Sequence, residues 1–560
     1  MRIPNRSLAE LFDYLRERIA LDRDTPEDWS ILGDALEDAG DPRAEPIRLE
    51  QRRFDTRLTR DEHAKTLARL AKLDRQNDPV HQVYRNGFLV EVWYRRGLPG
   101  EGAWLAELAK DEPLLSVLHI GIAHPWTEVV ALLQRPGIRQ IPALELDESS
   151  SEVLRAAGEL TTLRSIRLRS GLGVILARHL AQAAWRPRSL VLESTTGGAV
   201  LSRLLDGPAF RGLEQLSLVA SIPDLGDVAA QLPSLRRLEA GARPVRLAEV
   251  TRLVEALPDL TKLDVRIGSG AARESESGPP AEPVGTLTLD TTVFESPTFQ
   301  SLCAQRWLPR IKAWSLRTTR ALEALDDRAA LRLEGLRRLM VGPAQAGVGT
   351  GVHETPDLAR GTLRRIVDAA PHLTELDAGL PCGRDLCAWP GLGRLEHLGL
   401  AGPLAQEDVQ ALAANASSFA HLRSLHTVTG AWSGLPLQTL TQRTDLRLTE
   451  LHLTDSNLDD LDVEALCRSD LLESVKSLVL SGRGITVRGV RALCRCPHLQ
   501  GLRHLSIRKF HRMPADAFET IAKAPWPYLR SVLLRGGLER AEIEPTTAEA
   551  MRQQGIHVGV

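Results

Sequence analysis

Aromatic side chains make up only 4% of this 560-residue chain. That scarcity leaves little of the ring surface on which single-stranded nucleic acids stack. An excess of either charge is missing too: 70 Lys and Arg stand against 72 Asp and Glu, a formal net charge of −2. A nucleic-acid partner normally needs a concentrated basic stripe, so the balance argues against one. No apolar run approaches the roughly 20 residues of a membrane span, and the opening stretch Met1 to Glu10 lacks the apolar region of a signal peptide. The expectation is a protein without a membrane partner. Six cysteines, thinly spread, fit a reducing cytoplasm better than a disulfide framework.

Signatures of chemistry are also scarce. The chain holds no Gly-x-Ser-x-Gly, no His-Glu-x-x-His and no evident triad. Gly347-x-Gly349-x-Gly351 lacks the Gly-Lys-Ser/Thr of a phosphate loop. Cys494-x-Cys496 invites a metal reading, yet Cys494 holds the place of Cys467 and Ile521 in a repeating register, which marks a core side chain. Cys382 and Cys387 have no partners at zinc spacing. These observations predict a non-enzymatic protein without cofactor or metal.

What the chain does have is a repeat. Leu448-Thr-Glu-Leu451-His-Leu453 returns as Val475-Lys-Ser-Leu478-Val-Leu480, Leu502-Arg-His-Leu505-Ser-Ile507 and Leu529-Arg-Ser-Val532-Leu-Leu534, each 27 residues after the last. Hexads of the same kind begin at Leu115, Ile141, Leu163, Pro187, Leu213, Leu235, Leu260, Val284, Ile311, Leu336, Leu373, Leu395 and Leu422, with a first rung at Leu89. The members at Pro187 and Ile311 are degenerate. Apolar first, fourth and sixth positions make a short strand with one face buried. Between hexads the period becomes helical, as in Val463, Leu466 and Cys467. Each unit therefore predicts strand, turn, helix, turn. Stacking such units at a fixed period of 20 to 29 residues gives a solenoid. At 529 plus 27, Ile556-His-Val558-Gly-Val560 predicts a last short strand.

The hexads resemble leucine-rich repeats, and their length with a true helix resembles the ribonuclease-inhibitor subclass. That resemblance implies an α/β horseshoe with parallel strands inside and helices outside. The family usually places Asn or Cys three residues after the last apolar strand position. Here Ser149, Thr195, Ser221, Thr292, Thr319, Ser456 and Arg483 stand there, which predicts looser turns and an incomplete polar ladder.

Residues 1–86 lack hexads and are helical in period. Ser7 to Glu10 forms a capping box, and Thr25-Pro26-Glu27-Asp28 opens a second helix that ends near Ala39-Gly40. The run Asp34 to Glu50, with Arg85-Asn-Gly-Phe-Leu-Val-Glu-Val92, resembles the repeat-companion domain found ahead of such repeats in bacterial proteins. It implies a bacterial, cytoplasmic protein whose residues 1–86 cap a solenoid at 87–560. Two stretches without apolar period, near 268–283 and 342–353, predict insertions in the array.

The third and fifth hexad positions, with the residue after the sixth, point away from the helices. Candidate partner-binding residues on that concave face are Glu145, Asp147, Arg167, Arg169, Asp264, Arg266, His426, His452, His504, Arg508 and Arg535. His426 and His452 hold one strand position in successive rungs, which puts their Cβ atoms roughly 5 Å apart. The leading expectation is a scaffold or adaptor, monomeric by itself, that binds a protein or peptide on this face. The alternative is a regulatory target or inhibitor partner of a protease or other effector enzyme in a bacterial stress or defence pathway, cleaved at an exposed insertion.

Overall fold

A computed structural model describes residues 7–53, 55, 57–73, 82–86, 88–94, 101–121, 125–147, 150–194, 197–218, 225–267, 287–293, 296–318, 331–343, 360–378, 389–404, 406–415, 418–430, 433–442, 446–454, 456–510, 516–536, 545–554 and 556–559. The first expected insertion, 268–283, lies outside them, as do residues 344–353 of the second. Cys382, Cys387, Ser149, Thr195, Ser221 and Thr319 are outside them too. The chain forms two compact units, Met1–Phe54 with Arg69–Leu287, and Asp55–Ala68 with Thr288–Val560.

In the first unit, helices Leu8–Ala20, Pro26–Asp38 and Ala44–Arg53 open the chain. The Ser7 and Thr25 side chains accept from the backbone N–H groups of Glu10 and Asp28, closing reciprocal capping boxes. Gly40, at φ 68, ends the second helix in a conformation that a Cβ would disfavour. The apolar stripe of these helices, Leu11, Phe12, Leu15, Ile19, Trp29, Leu32 and Leu36, packs with Phe88 and Val90 of the first repeat strand. Phe88 sits at its centre, with ring centroids 6.1 Å from Phe12 and 6.2 Å from Trp29.

Gln82–Arg85 pairs antiparallel with Phe88–Tyr94. From there the pairings are parallel, through Val117–Ile120, Ala143–Leu146, Ser165–Leu168, Ser189–Leu192, Gln215–Leu218, Arg237–Val245 and Lys262–Ile267, with a register shift between Ala240 and Val245 in the last pair. Helices such as Ser151–Gly158 and Gly198–Leu205 intervene, as parallel strands require a crossover.

The second unit repeats the scheme. Its parallel ladder runs from Ile311–Thr318 through Arg338–Pro343, Glu375–Ala378, His397–Leu404, Ser424–Gly430, Glu450–Leu453, Ser477–Ser481, His504–Phe510 and Ser531–Gly536 to His557–Gly559. Each of the seventeen hexads from Leu115 to Leu529, the degenerate ones included, is a strand. The expected last strand is present as His557–Gly559. Strand–helix units in continuous parallel register define the leucine-rich-repeat solenoid fold.

Burial follows the alternation. Leu451, Leu478 and Leu505 face one another in successive strands and are at most 1% exposed. Each such side chain contributes about 1.5–3 kcal/mol through burial. Cys494 and Ile521 are buried among the helices, as their shared register predicts.

Turns between Thr427 and Gly489 carry polar bonds of their own. Aspartates near the helix starts carry hydrogen bonds between repeats. Asp460 Oδ1 accepts from the N–H groups of Thr486 and Gly489, each at 2.8 Å, and Asp462 Oδ1 accepts from Gly434 N–H at 2.8 Å. Thr454 Oγ1 donates to the Thr427 carbonyl at 2.7 Å. Ser456, at the family's Asn position, is buried and turns its hydroxyl back to the Thr454 carbonyl. Backbones approach closely here: a Cβ on Gly482 would stand 2.0 Å from the Leu458 carbonyl oxygen. In these repeats aspartates at the helix cap supply the bonds between turns.

Replacing Leu478 by Ala is expected to cost about 2–5 kcal/mol of unfolding free energy. The exposed neighbour Lys476→Ala should stay within about 0.5 kcal/mol. Urea denaturation followed by circular dichroism measures both, and equal losses would contradict the assigned strand faces.

Candidate functional site

Alternation leaves the third and fifth positions of every strand on the sheet face opposite the helices. In the first unit the fifth-position row runs Trp93, His119, Glu145, Arg167, Val191, Ser217, Glu239 and Asp264. Its third-position row begins Glu91, Val117, Ala143 and Ser165. The residues placed together by sequence reasoning do meet. Arg169 Nη1 donates to Asp147 Oδ1 at 2.8 Å, and its Nε lies 3.3 Å from Glu193. Arg167 lies 3.5 Å from Glu145. Asp264 and Arg266 stand on the last parallel strand of this unit, Arg266 exposed.

The focus of this face was missed in the sequence. His119 lies between two carboxylates, with Nδ1 2.9 Å from Glu145 and Nε2 3.4 Å from Glu91. Its ring stacks on Trp93 at 4.2 Å. Arg85 backs Glu91 at 3.2 Å and Asp24 at 3.1 Å. Burial pulls the His119 pKa down, but the hydrogen bonds to Glu145 and Glu91 outweigh it and hold the imidazolium above its ordinary value. Glu91 is held low, chiefly by the His119 hydrogen bond.

The opening helices do more than cover the first strand. Ala20 packs on Val117 and Ala143 of the third-position row. Arg23 bonds Glu214 at 2.6 Å, and Arg188 lies 3.1 Å from Glu17. Residues Ile19 to Asp22 thereby wall one side of a cleft of about 520 Å³ over the fifth-position row.

In the second unit the strands align His426 with His452 as register predicts. Their rings stack at 3.9 Å and 6°. His397 meets His426 edge-on at 4.8 Å. Ser424, on the third-position row, joins the group: its Oγ lies 3.0 Å from His397 Nδ1, from His426 Nε2 and from Glu450 Oε2. Asp377 binds His397 Nε2 at 2.9 Å, and Ser477 Oγ lies 2.9 Å from His452 Nε2. His504 is exposed on the third-position row and bonds Ser531 at 2.7 Å. Arg508 and Arg535 are register neighbours on adjacent strands.

The charge state of this cluster is uneven. The hydrogen bond to Asp377 holds His397 above its ordinary value against burial. Burial, then the neighbouring His397 charge, lowers His426. Burial and the His426 charge push His452 down to about 4. Glu450 stays low because hydrogen bonds from Ser424 and His426 outweigh its burial.

Asp377, His397 and Ser424 have the connectivity of a catalytic triad, which the sequence did not disclose. The ring is turned so that Nδ1, not Nε2, faces the hydroxyl. The Ser424 N–H donates to the Glu396 carbonyl at 3.0 Å, and its neighbours lie in the ladder. Those amides cannot serve as an oxyanion hole, which accounts for a large share of acyl-transfer rate enhancement.

No known family profile and no curated protein sequence matches this chain. Among solved structures it is similar to an internalin of Listeria monocytogenes, at 13% identity over 77% of this chain and 92% of that one, with a TM-score of 0.31. It is also similar to a Bacteroides fragilis protein, at 12% identity over 42% of this chain and 68% of the other, with a TM-score of 0.28. Similarity this loose carries nothing about function.

The two ends of the histidine cluster should titrate apart. His452 is expected to stay neutral until the pH approaches about 4, whereas His397 should hold its proton above the usual range. The folded value of His452 lies below its unfolded value near 6.5, so its contribution to stability is present above about 6.5 and is lost as pH falls. His397 has the opposite sign, stabilising below about 6.5 and losing that contribution as pH rises through its raised value. Histidine ring-proton NMR with His452→Gln for assignment checks this; His452 titrating near 6.5 would overturn it.

Proposed function

We propose that the protein is a non-enzymatic interaction scaffold that holds a protein or peptide partner against the open strand faces. The observation that carries this reading is the ordered double row of polar side chains on those faces. Glu145, Asp147, Arg167, Arg169 and Glu193 are fixed by one another, and His397, His426 and His452 by Asp377, Ser424, Glu450 and Ser477. Side chains ordered before binding lose less entropy on association. Alternating charge signs select a partner by complementarity, adding specificity more than bulk affinity. Balanced net charge makes long-range steering a minor contribution.

The finer assignments rest on the resemblance drawn from the sequence. In this reading residues 1–86 are a repeat-companion cap, the repeats are of the ribonuclease-inhibitor subclass, and the protein is bacterial, cytoplasmic and monomeric alone. Among the described residues no helix is long and apolar enough to cross a membrane.

Reversing one charge on each face tests the proposal. Relative to the unchanged chain, Arg167→Glu with Arg508→Glu should lower capture of the native partner at least about tenfold, the effect of roughly 1.4 kcal/mol. Capture from the native cell followed by titration of the co-purified protein gives the measurement. Undiminished affinity in a folded double variant would remove the open faces from the binding site.

A further inference from the structure

One grouping on the second unit's open face has the chemistry for more than contact with a partner. His426 and His452 oppose each other across a parallel strand pair, and Glu450 stands two residues before His452 on the same face. Their ligand atoms all lie within 4.8 Å of one another, and among the described residues no other such group of three His, Cys, Asp or Glu occurs. We propose that His426, Glu450 and His452 bind one divalent transition-metal ion of the zinc class, leaving a coordination position open on the strand face.

The donor set chooses the class of ion. Two imidazoles and one carboxylate suit zinc, nickel or copper, whereas calcium and magnesium call for oxygen ligands throughout. Bonds of about 2.0–2.1 Å in a tetrahedral site put neighbouring donors roughly 3.3 Å apart. His426 Nε2 and Glu450 Oε2, at 3.0 Å, already have nearly that separation. His452 has to close the rest.

Imidazole lone pairs lie in the ring plane, so one ion cannot be held by two rings stacked in parallel. Binding therefore turns one ring out of the 3.9 Å stack. The side chains of His426 and Glu450 are 29% and 45% exposed, so the movement meets solvent and not packed core. It exchanges the Ser424–His426 and Ser477–His452 hydrogen bonds for metal bonds. Glu450 supplies compensating negative charge. A strand face carrying histidines in one register column thus has the ligands and the access.

The metal site shares His426 and His452 with the proposed partner face, but zinc binding is measured without a partner, so either reading can fail alone. Calorimetric titration of the full-length, metal-stripped chain with zinc chloride at pH 7.5 is the test. The expected result is saturable binding of about one equivalent that weakens at least tenfold in His452→Ala and in the isosteric Glu450→Gln, since even outer-shell partners are worth 10- to 100-fold. His421→Ala, an exposed residue outside the group, should bind as the unchanged chain does. Circular dichroism establishes that each variant is folded; should His452→Ala unfold, Glu450→Gln decides. Absence of saturable binding, or full affinity retained in Glu450→Gln, would overturn the proposal and in the latter case place the ion elsewhere.

Discussion

Everything in this molecule depends on an inward apolar side chain of one strand packing on its counterpart in the next. Leu451, Leu478, Leu505 and Val532 make one such row, each in register with its neighbours and nearly sealed from solvent. A chain of this size would outgrow a single globular core. Stacking avoids the limit, because each repeat buries its face only against the adjacent ones. The same packing fixes register, since a one-residue slip would turn every leucine outward.

Register in turn builds the functional surface. Once the first, fourth and sixth positions are committed to the core, the third and fifth positions line up in columns across the strands. Chemistry that is far apart in sequence becomes adjacent at strand spacing: Asp377, His397, Ser424, His426 and Glu450 form one hydrogen-bonded group, on which the His452 ring stacks, across four strands. Their surroundings separate their proton affinities: the hydrogen bond to Asp377 raises that of His397, whereas burial lowers that of His452. In the first unit the same geometry clamps His119 between Glu91 and Glu145.

The strands were legible because a hexad repeated seventeen times leaves little room for chance, and even the degenerate members at Pro187 and Ile311 fold as strands. The pairing of His426 with His452 followed from register alone. Four things were not legible. The aspartate ladder of Asp460 and Asp462 lies outside the hexad, at positions where a helix cap and an inter-repeat bond are the same in sequence. The His119 cluster draws Glu91 and Trp93 from the first rung, whose hexad lies beside the change from helices to repeats. The contact of Ala20 with Val117 and Ala143 joins elements distant in sequence, and small apolar residues at third positions were its only trace. Ser424 escaped notice because serine on an open strand face looks like ordinary solvated surface.

Hydroxyl-radical footprinting read by mass spectrometry reaches the central claim most directly, because it reports the exposure of individual side chains along a strand. Met340, 45% exposed, should be modified rapidly while its neighbours Leu339 and Val341 are spared, and His504 should react where Leu505 does not. Modification of Leu339, Leu505 and Val341 at rates matching their polar neighbours would show that the inward rows are not buried, and the solenoid account would fall with them.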